Sequence, residues 1–147
     1  MTDQPVTASA IISFSEQLED SSERFYQELG QRFPAHRELF DGFARDCAKN
    51  RVQVTRTYQE TITDALEGCF AFEGFKFDNY RVDLTLSEGI ALFEGTKIAI
   101  ALEEKAVAFY LDAAERSESL LATIPGAFRR VARRRSTHKD ALEASHD

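Results

Sequence analysis

At 147 residues, 43% apolar and 29% charged, the chain has the length and composition of one soluble globular domain covering residues 1–147. Its formal net charge of −7 argues against a general nucleic-acid binder, and no apolar run approaches the roughly 20 residues that span a bilayer. Two cysteines, Cys47 and Cys69, form no CxxC pair, and the opening MTDQPVTASA lacks the pattern of a signal peptide, so reduced thiols and a cytoplasmic location are expected.

Only three prolines and seven glycines, with abundant leucine, alanine, glutamate and arginine, lean the chain towards helix; twelve phenylalanines and no tryptophan supply the aromatic core. A first helix is predicted from about Thr7 to Phe33, on the apolar stripe Ile11, Phe14, Leu18, Phe25 and Leu29, ended by Gly30 and Pro34. A second should run from about His36 to Glu67, with Leu39, Phe40, Phe43, Cys47, Val54, Tyr58, Ile62 and Leu66 inward and Gly68 as its stop. Cys69 to Leu86 then alternates Phe70, Phe72, Phe75 and Phe77 with small or polar residues. This reads as a long extended crossover that lays its rings on the helices and offers a contact for a homodimer. Thr85 with Glu88 three residues on has the form of a capping box for a third helix. That helix should end near Ser117, with Ile90, Phe93, Ile98, Leu102, Phe109 and Ala113 inward. Pro125 suits the first turn of a fourth helix that continues through Phe128, Val131, Ala132 and His138 to Leu142. The fold expected is all-α: an up-down four-helix bundle of two helical hairpins joined by one long crossover.

The hairpins repeat one another. LEDSSERFYQEL (Leu18 to Leu29) is echoed 84 residues later by LEEKAVAFYLDAA (Leu102 to Ala114), and FDGFARDCAKN (Phe40 to Asn50) aligns with FRRVARRRSTH (Phe128 to His138). In each half a glutamate precedes a tyrosine by seven residues, nearly two turns: Glu19 with Tyr26, and Glu103 with Tyr110. Both pairs lie beside inward residues. A carboxylate there needs a proton, a cation or strong hydrogen bonds to avoid a penalty of several kcal/mol.

This arrangement resembles the rubrerythrin branch of the ferritin-like superfamily over nearly the whole chain. The resemblance implies one glutamate and one supporting tyrosine from each of the first and third helices. It also implies a Glu-x-x-His from each of the second and fourth, together holding two iron ions. By position, Glu19 and Glu103 match the single glutamates, Tyr26 and Tyr110 the supporting tyrosines, and His138 one histidine. Cys47 and Arg135 stand where the bridging glutamates would be, and Asn50 where the other histidine would be. The rubredoxin-like domain of longer rubrerythrins, with its paired CxxC motifs, is absent from this sequence. A guanidinium in place of a carboxylate removes a ligand and adds a permanent cation. The expectation is therefore a degenerate di-iron site in which Arg135 bridges Glu19 and Glu103 with Glu23 joining the network, in a non-catalytic binding or structural module. The alternative is an oxidoreductase acting on peroxide, dioxygen or iron. It would hold a single iron, manganese or zinc ion on Glu19, Glu103 and His138, with Cys47 as a fourth ligand and Tyr26 and Tyr110 orienting the carboxylates. A one-residue shift in the second helix would turn Asp46 inward instead of Cys47.

Plainer readings stand beside these. Cys47 reads as a small buried apolar residue, His138 as a core histidine satisfied by a neighbour, and His36 and His146 as helix-end residues. The basic run FRRVARRRSTHK is the one candidate polyanion patch. On a helix its charges spread over several faces, and a solvated, ion-paired surface is expected rather than nucleic-acid binding.

Overall fold

The computed structural model describes residues 7–61, 75–117 and 123–145. Among these there are four long helices and no strand: α1 (Ala8–Arg32), α2 (Arg37–Thr61), α3 (Leu92–Ser117) and α4 (Thr123–Ser145). Short 3-10 turns at Pro34–His36 and Phe77–Tyr80 complete the regular structure. α1 packs along α2 and α3 along α4; α2 and α4 also meet closely, while the backbones of α1 and α3 stand further apart with aromatic rings between them. The result is a helical bundle. No described helix is long and apolar enough to cross a membrane.

α1 starts where Thr7 caps it, its hydroxyl accepting the Ala10 amide hydrogen at 3.1 Å. All five residues of its expected stripe are buried, and Ser15, Glu19, Ser22 and Tyr26 are buried with them. Gly30 does not end the helix, which runs on to Arg32. A Cβ at Gly30 would meet Asp41 Oδ1 at 3.0 Å, so the carboxylate of Asp41 would have to give by a few tenths of an ångström. At the start of α3 a Cβ on Gly95 would press in the same way on the Leu29 side chain, meeting its Cδ2 at 3.0 Å.

The stretch before α3 differs from its sequence signature. Thr85 caps nothing; its amide donates to Asp83 Oδ1 at 3.0 Å, a turn forms at Ser87–Ile90 through Gly89 with φ +76°, and the helix begins at Leu92. Phe93, expected inward, is 48% exposed with Lys97 Nζ 4.7 Å above its ring. The expected ends of α2 at Glu67 and Gly68, with Ile62, Leu66, Cys69, Phe70 and Phe72, lie outside the described residues.

The described part of the crossover packs on the bundle. Phe77 stacks on Phe14 at 4.7 Å, and Phe75 meets Phe109 edge-on at 5.7 Å. Tyr80 bonds Asp112 at 2.5 Å, and Arg32 donates to the carbonyls of Leu86 and Ser87. Phe75 and Phe77 therefore pack on their own bundle.

Candidate functional site

The aligned segments of α2 and α4 supply five pairs of equivalent residues: Phe40/Phe128, Phe43/Val131, Ala44/Ala132, Cys47/Arg135 and Asn50/His138. All ten are buried. Glu19 and Glu103 are buried too, with no exposed surface, as are Tyr26 and Tyr110. The repeat is thus the lining of the bundle's interior, and the polar residues meet at its middle.

Arg135 occupies that middle with 0% exposure. Its Nη2 donates to Glu19 Oε2 at 2.6 Å and to Ser22 Oγ at 2.8 Å; its Nη1 donates to Glu103 Oε1 at 2.6 Å and Oε2 at 3.1 Å; its Nε donates to Glu19 Oε2 at 3.2 Å. A guanidinium donates only, and here each of its three nitrogens donates to Glu19, Glu103 or Ser22. Short, charge-assisted bonds of this kind are the strong ones.

The tyrosines serve the carboxylates by exchange. Tyr26 of the first hairpin donates to Glu103 Oε1 at 2.9 Å, and Tyr110 of the second donates to Glu19 Oε2 at 3.0 Å. Asn50 Nδ2 donates to Glu19 Oε1 at 2.9 Å, while its counterpart His138 places Nδ1 3.4 Å from Glu103 Oε1. Tyrosines and Asn50/His138 therefore obey the approximate twofold relation of the halves. Arg135 breaks it, because its counterpart Cys47 is a small buried thiol.

Several placements depart from expectation. Glu23 does not join the centre; it is partly exposed and pairs with Arg51 at 2.9 Å. Asp46 does not replace Cys47 inside, yet it reaches the centre from outside, its Oδ2 2.9 Å from His138 Nε2. Two buried serines were not read from sequence. Ser22, three residues after Glu19, accepts from Arg135, and Ser15, four residues before Glu19, shares a 2.9 Å hydrogen bond with the Tyr110 hydroxyl. Their helical spacing from Glu19 was the available signal. In α3 the equivalent positions are Ala99 and Ala106, both fully buried.

Within the basic run, Arg135 is the buried member. Arg134 donates to Asn50 Oδ1 at 2.9 Å and Gln53 Oε1 at 2.7 Å, and Arg130 and Arg133 are exposed. His36 lies half-buried in the turn before α2, 6.4 Å from the Phe40 ring, and His146 lies outside the described residues.

The electrostatics follow from burial and proximity. Burial alone would push the Glu103 carboxyl up; Arg135 and His138 outweigh it and hold the group below its ordinary value, hence ionised. Burial, reinforced by the neighbouring carboxylates, pushes Tyr26 and Tyr110 well above the usual phenol range, and the Cys47 thiol well up. Cys47 is thus a protonated thiol in its buried setting. For a phenol whose folded pKa is raised, the stabilisation is complete below its unfolded value near 10 and is lost as pH rises beyond it. In a Tyr58→Phe/Tyr80→Phe background, the phenolate absorbance of Tyr26 and Tyr110 is expected to appear only together with alkaline loss of helical circular dichroism. Phenolate formation in a still-helical protein would contradict their burial.

The di-iron ligand set implied by the resemblance does not fit these side chains. The room between Glu19 and Glu103 holds a guanidinium, the bridging positions are Cys47 and Arg135, and Asn50 donates an amide hydrogen where a ligand would offer a lone pair. Among the described residues no group of three or more histidine, cysteine, aspartate or glutamate side chains is placed to hold a metal ion. No protein-family model, curated protein or solved structure matches the chain.

Proposed function

We propose that this chain is a rubrerythrin-like, ferritin-like bundle in which an organic cation has taken over the role of the metals, and that it works as a non-catalytic binding or structural module. The observation carrying this reading is Arg135, whose three nitrogens all donate to Glu19, Glu103 or Ser22 at zero exposure. In a di-iron bundle the acidic residues of the interior are balanced by two divalent cations. Here the acids facing the centre are reduced to two, and one fixed positive charge lies between them. The tyrosine bonds that would orient carboxylates for a metal are kept, now orienting them for a guanidinium. A single-ion site on Glu19, Glu103 and His138 would require Arg135 to give up its bonds to both carboxylates, a change that leaves a buried cation without its partners.

Metal loading tests the reading. Protein incubated anaerobically with excess ferrous iron and then desalted is expected to retain well under one iron per chain by elemental analysis. Near-stoichiometric retention would overturn it.

A further inference from the structure

On the outside of the α2–α4 seam the basic run does not find the acids that a solvated, ion-paired surface would supply. Among the described residues Arg130 and Arg133 make no ion pair, and Arg134 bonds only the side-chain amide oxygens of Asn50 and Gln53. Lys49 and Arg56 on α2 have no acidic partner among the described residues either. The chain carries 25 acids against 18 lysines and arginines, so a shortage of carboxylates does not explain the cluster. Like charges gathered without counter-charges repel one another, and an anion between them relieves that.

Lys49, Arg56 and Arg134 line one open groove of about 500 Å³ between α2 and α4, and no carboxylate is among its described walls. Small-molecule sites run roughly 300–1,000 Å³. Lys49, Val52, Gln53 and Arg56 share one face of α2, at three, four and seven residues from the first. Opposite them α4 runs antiparallel, since His138 meets Asp46 while Arg134 meets Asn50 and Gln53. Arg130, one turn before Arg134, therefore adds its charge towards the Arg56 end. Arg134 is held in place. Both of its bonds leave from Nη1, at 2.9 and 2.7 Å, and both acceptors are neutral, so its charge is not cancelled. Its Nε and Nη2 have no partner among the described residues. Together they form an edge of the guanidinium that matches two oxygens of a phosphate. Val52, 51% exposed, adds apolar surface between Lys49 and Arg56.

We propose that this groove binds a compact ligand carrying several phosphate charges, a free polyphosphate or the phosphate tail of a nucleotide. Three cations in one groove call for an anion of more than one charge, and the open edge of Arg134 suits the paired oxygens of phosphate. Size and charge select a compact ligand over a polymer. A nucleic-acid strand would run on past the groove over a protein of net charge −7, which repels it, whereas a small anion meets the cations alone. The groove lies outside the Arg135 centre, and its binding stands or falls separately from what that centre does.

Isothermal titration calorimetry of the full chain with tripolyphosphate at low ionic strength tests this. One ligand per chain is expected, bound more weakly as salt rises. Arg134→Gln and the pair Lys49→Gln/Arg56→Gln are each expected to weaken binding about tenfold or more. Lys105→Gln, which removes a charge from an exposed position on α3, should change it less than about twofold. The α2 pair removes no hydrogen bond of the fold, so it keeps the test independent of any shift of Asn50 in Arg134→Gln. Adenosine triphosphate bound more tightly than tripolyphosphate, with the gain lost in Val52→Ser, would support the proposal with a nucleotide as the source. Equal binding would support it with the phosphate chain alone. No saturable binding, a loss in Lys105→Gln as large as in the groove variants, or tighter binding of a single-stranded oligonucleotide at equal phosphate concentration would each overturn it.

Discussion

Replacing Arg135 with methionine is expected to lower the unfolding free energy by about 3–5 kcal/mol, the cost of leaving buried charge without its partner. Domains of this size hold about 5–15 kcal/mol in all, so the loss is a large share of the total. The reason is positional. Glu19 and Glu103 have no exposed surface, so water cannot replace the guanidinium, and methionine fills much of the volume while offering no donor. The pH dependence should also reverse. In the wild type the folded Glu103 carboxyl lies below its unfolded value, so its stabilisation is present above about pH 4.3 and is lost as pH falls through the folded pKa. In the variant, burial and mutual repulsion raise both carboxyls above that value. Stability is then greatest at acid pH and declines as pH rises through the raised pKa values. Urea unfolding at pH 7 and pH 5 reads both effects: acidification over this interval should strengthen the variant and not the wild type. Neutralising the stranded acids, in Arg135→Met/Glu19→Gln/Glu103→Gln, should recover much of the loss. A methionine variant with wild-type stability and the wild-type pH slope would mean that the central ion pairs are not as drawn.

The parts of this centre that repeat were legible in the sequence, and those that do not repeat were less so. Two glutamates and two tyrosines at one spacing, 84 residues apart, mark a shared interior face, and the aligned segments of α2 and α4 mark the opposite wall. Helical angle is enough for that. Angle does not say which neighbour wins a side chain. Glu23 lies one turn beyond Glu19 but towards the rim, where Arg51 takes it, whereas Ser22 at three residues has the depth to reach Arg135. The exchange of tyrosines between halves was hidden for a similar reason. Spacing within a helix shows that Glu19 and Tyr26 share a face, but the phenol is long enough to cross the core and bond the other half's acid. Phe93 was misjudged on apolarity alone. Nine residues before Leu102, it is half a turn round the helix from a fully buried residue, and the angle points it outward. Thr85 and Glu88 matched a capping box in letters, but Asp83 claims the Thr85 amide and Gly89 turns the chain first.

Introducing the ligand set that the rubrerythrin resemblance implies should confer metal binding. Cys47→Glu/Asn50→His/Arg135→Glu removes the one central cation and adds two carboxylates and an imidazole, so that Glu19, Glu103 and the two introduced glutamates place four acids in a volume closed to water. Without metal this interior is over-charged, and the variant is expected to be less stable than the wild type at neutral pH, either loosening or taking up protons. About two divalent ions would balance it, as in a di-iron bundle. Ferrous or manganous ion binds the folded state only, so it is expected to raise the melting temperature of the variant progressively with concentration and to leave the wild type unmoved. Elemental analysis after desalting should find about two metal ions per variant chain. The contrast rests on position: the three changes lie at buried sites that α2 and α4 already aim at Glu19 and Glu103, so the backbone need not be rebuilt. If the triple variant remains folded and gains no metal affinity over the wild type, the register assigned to α2 and α4, and with it the proposal that an arginine here stands in for metals, is wrong.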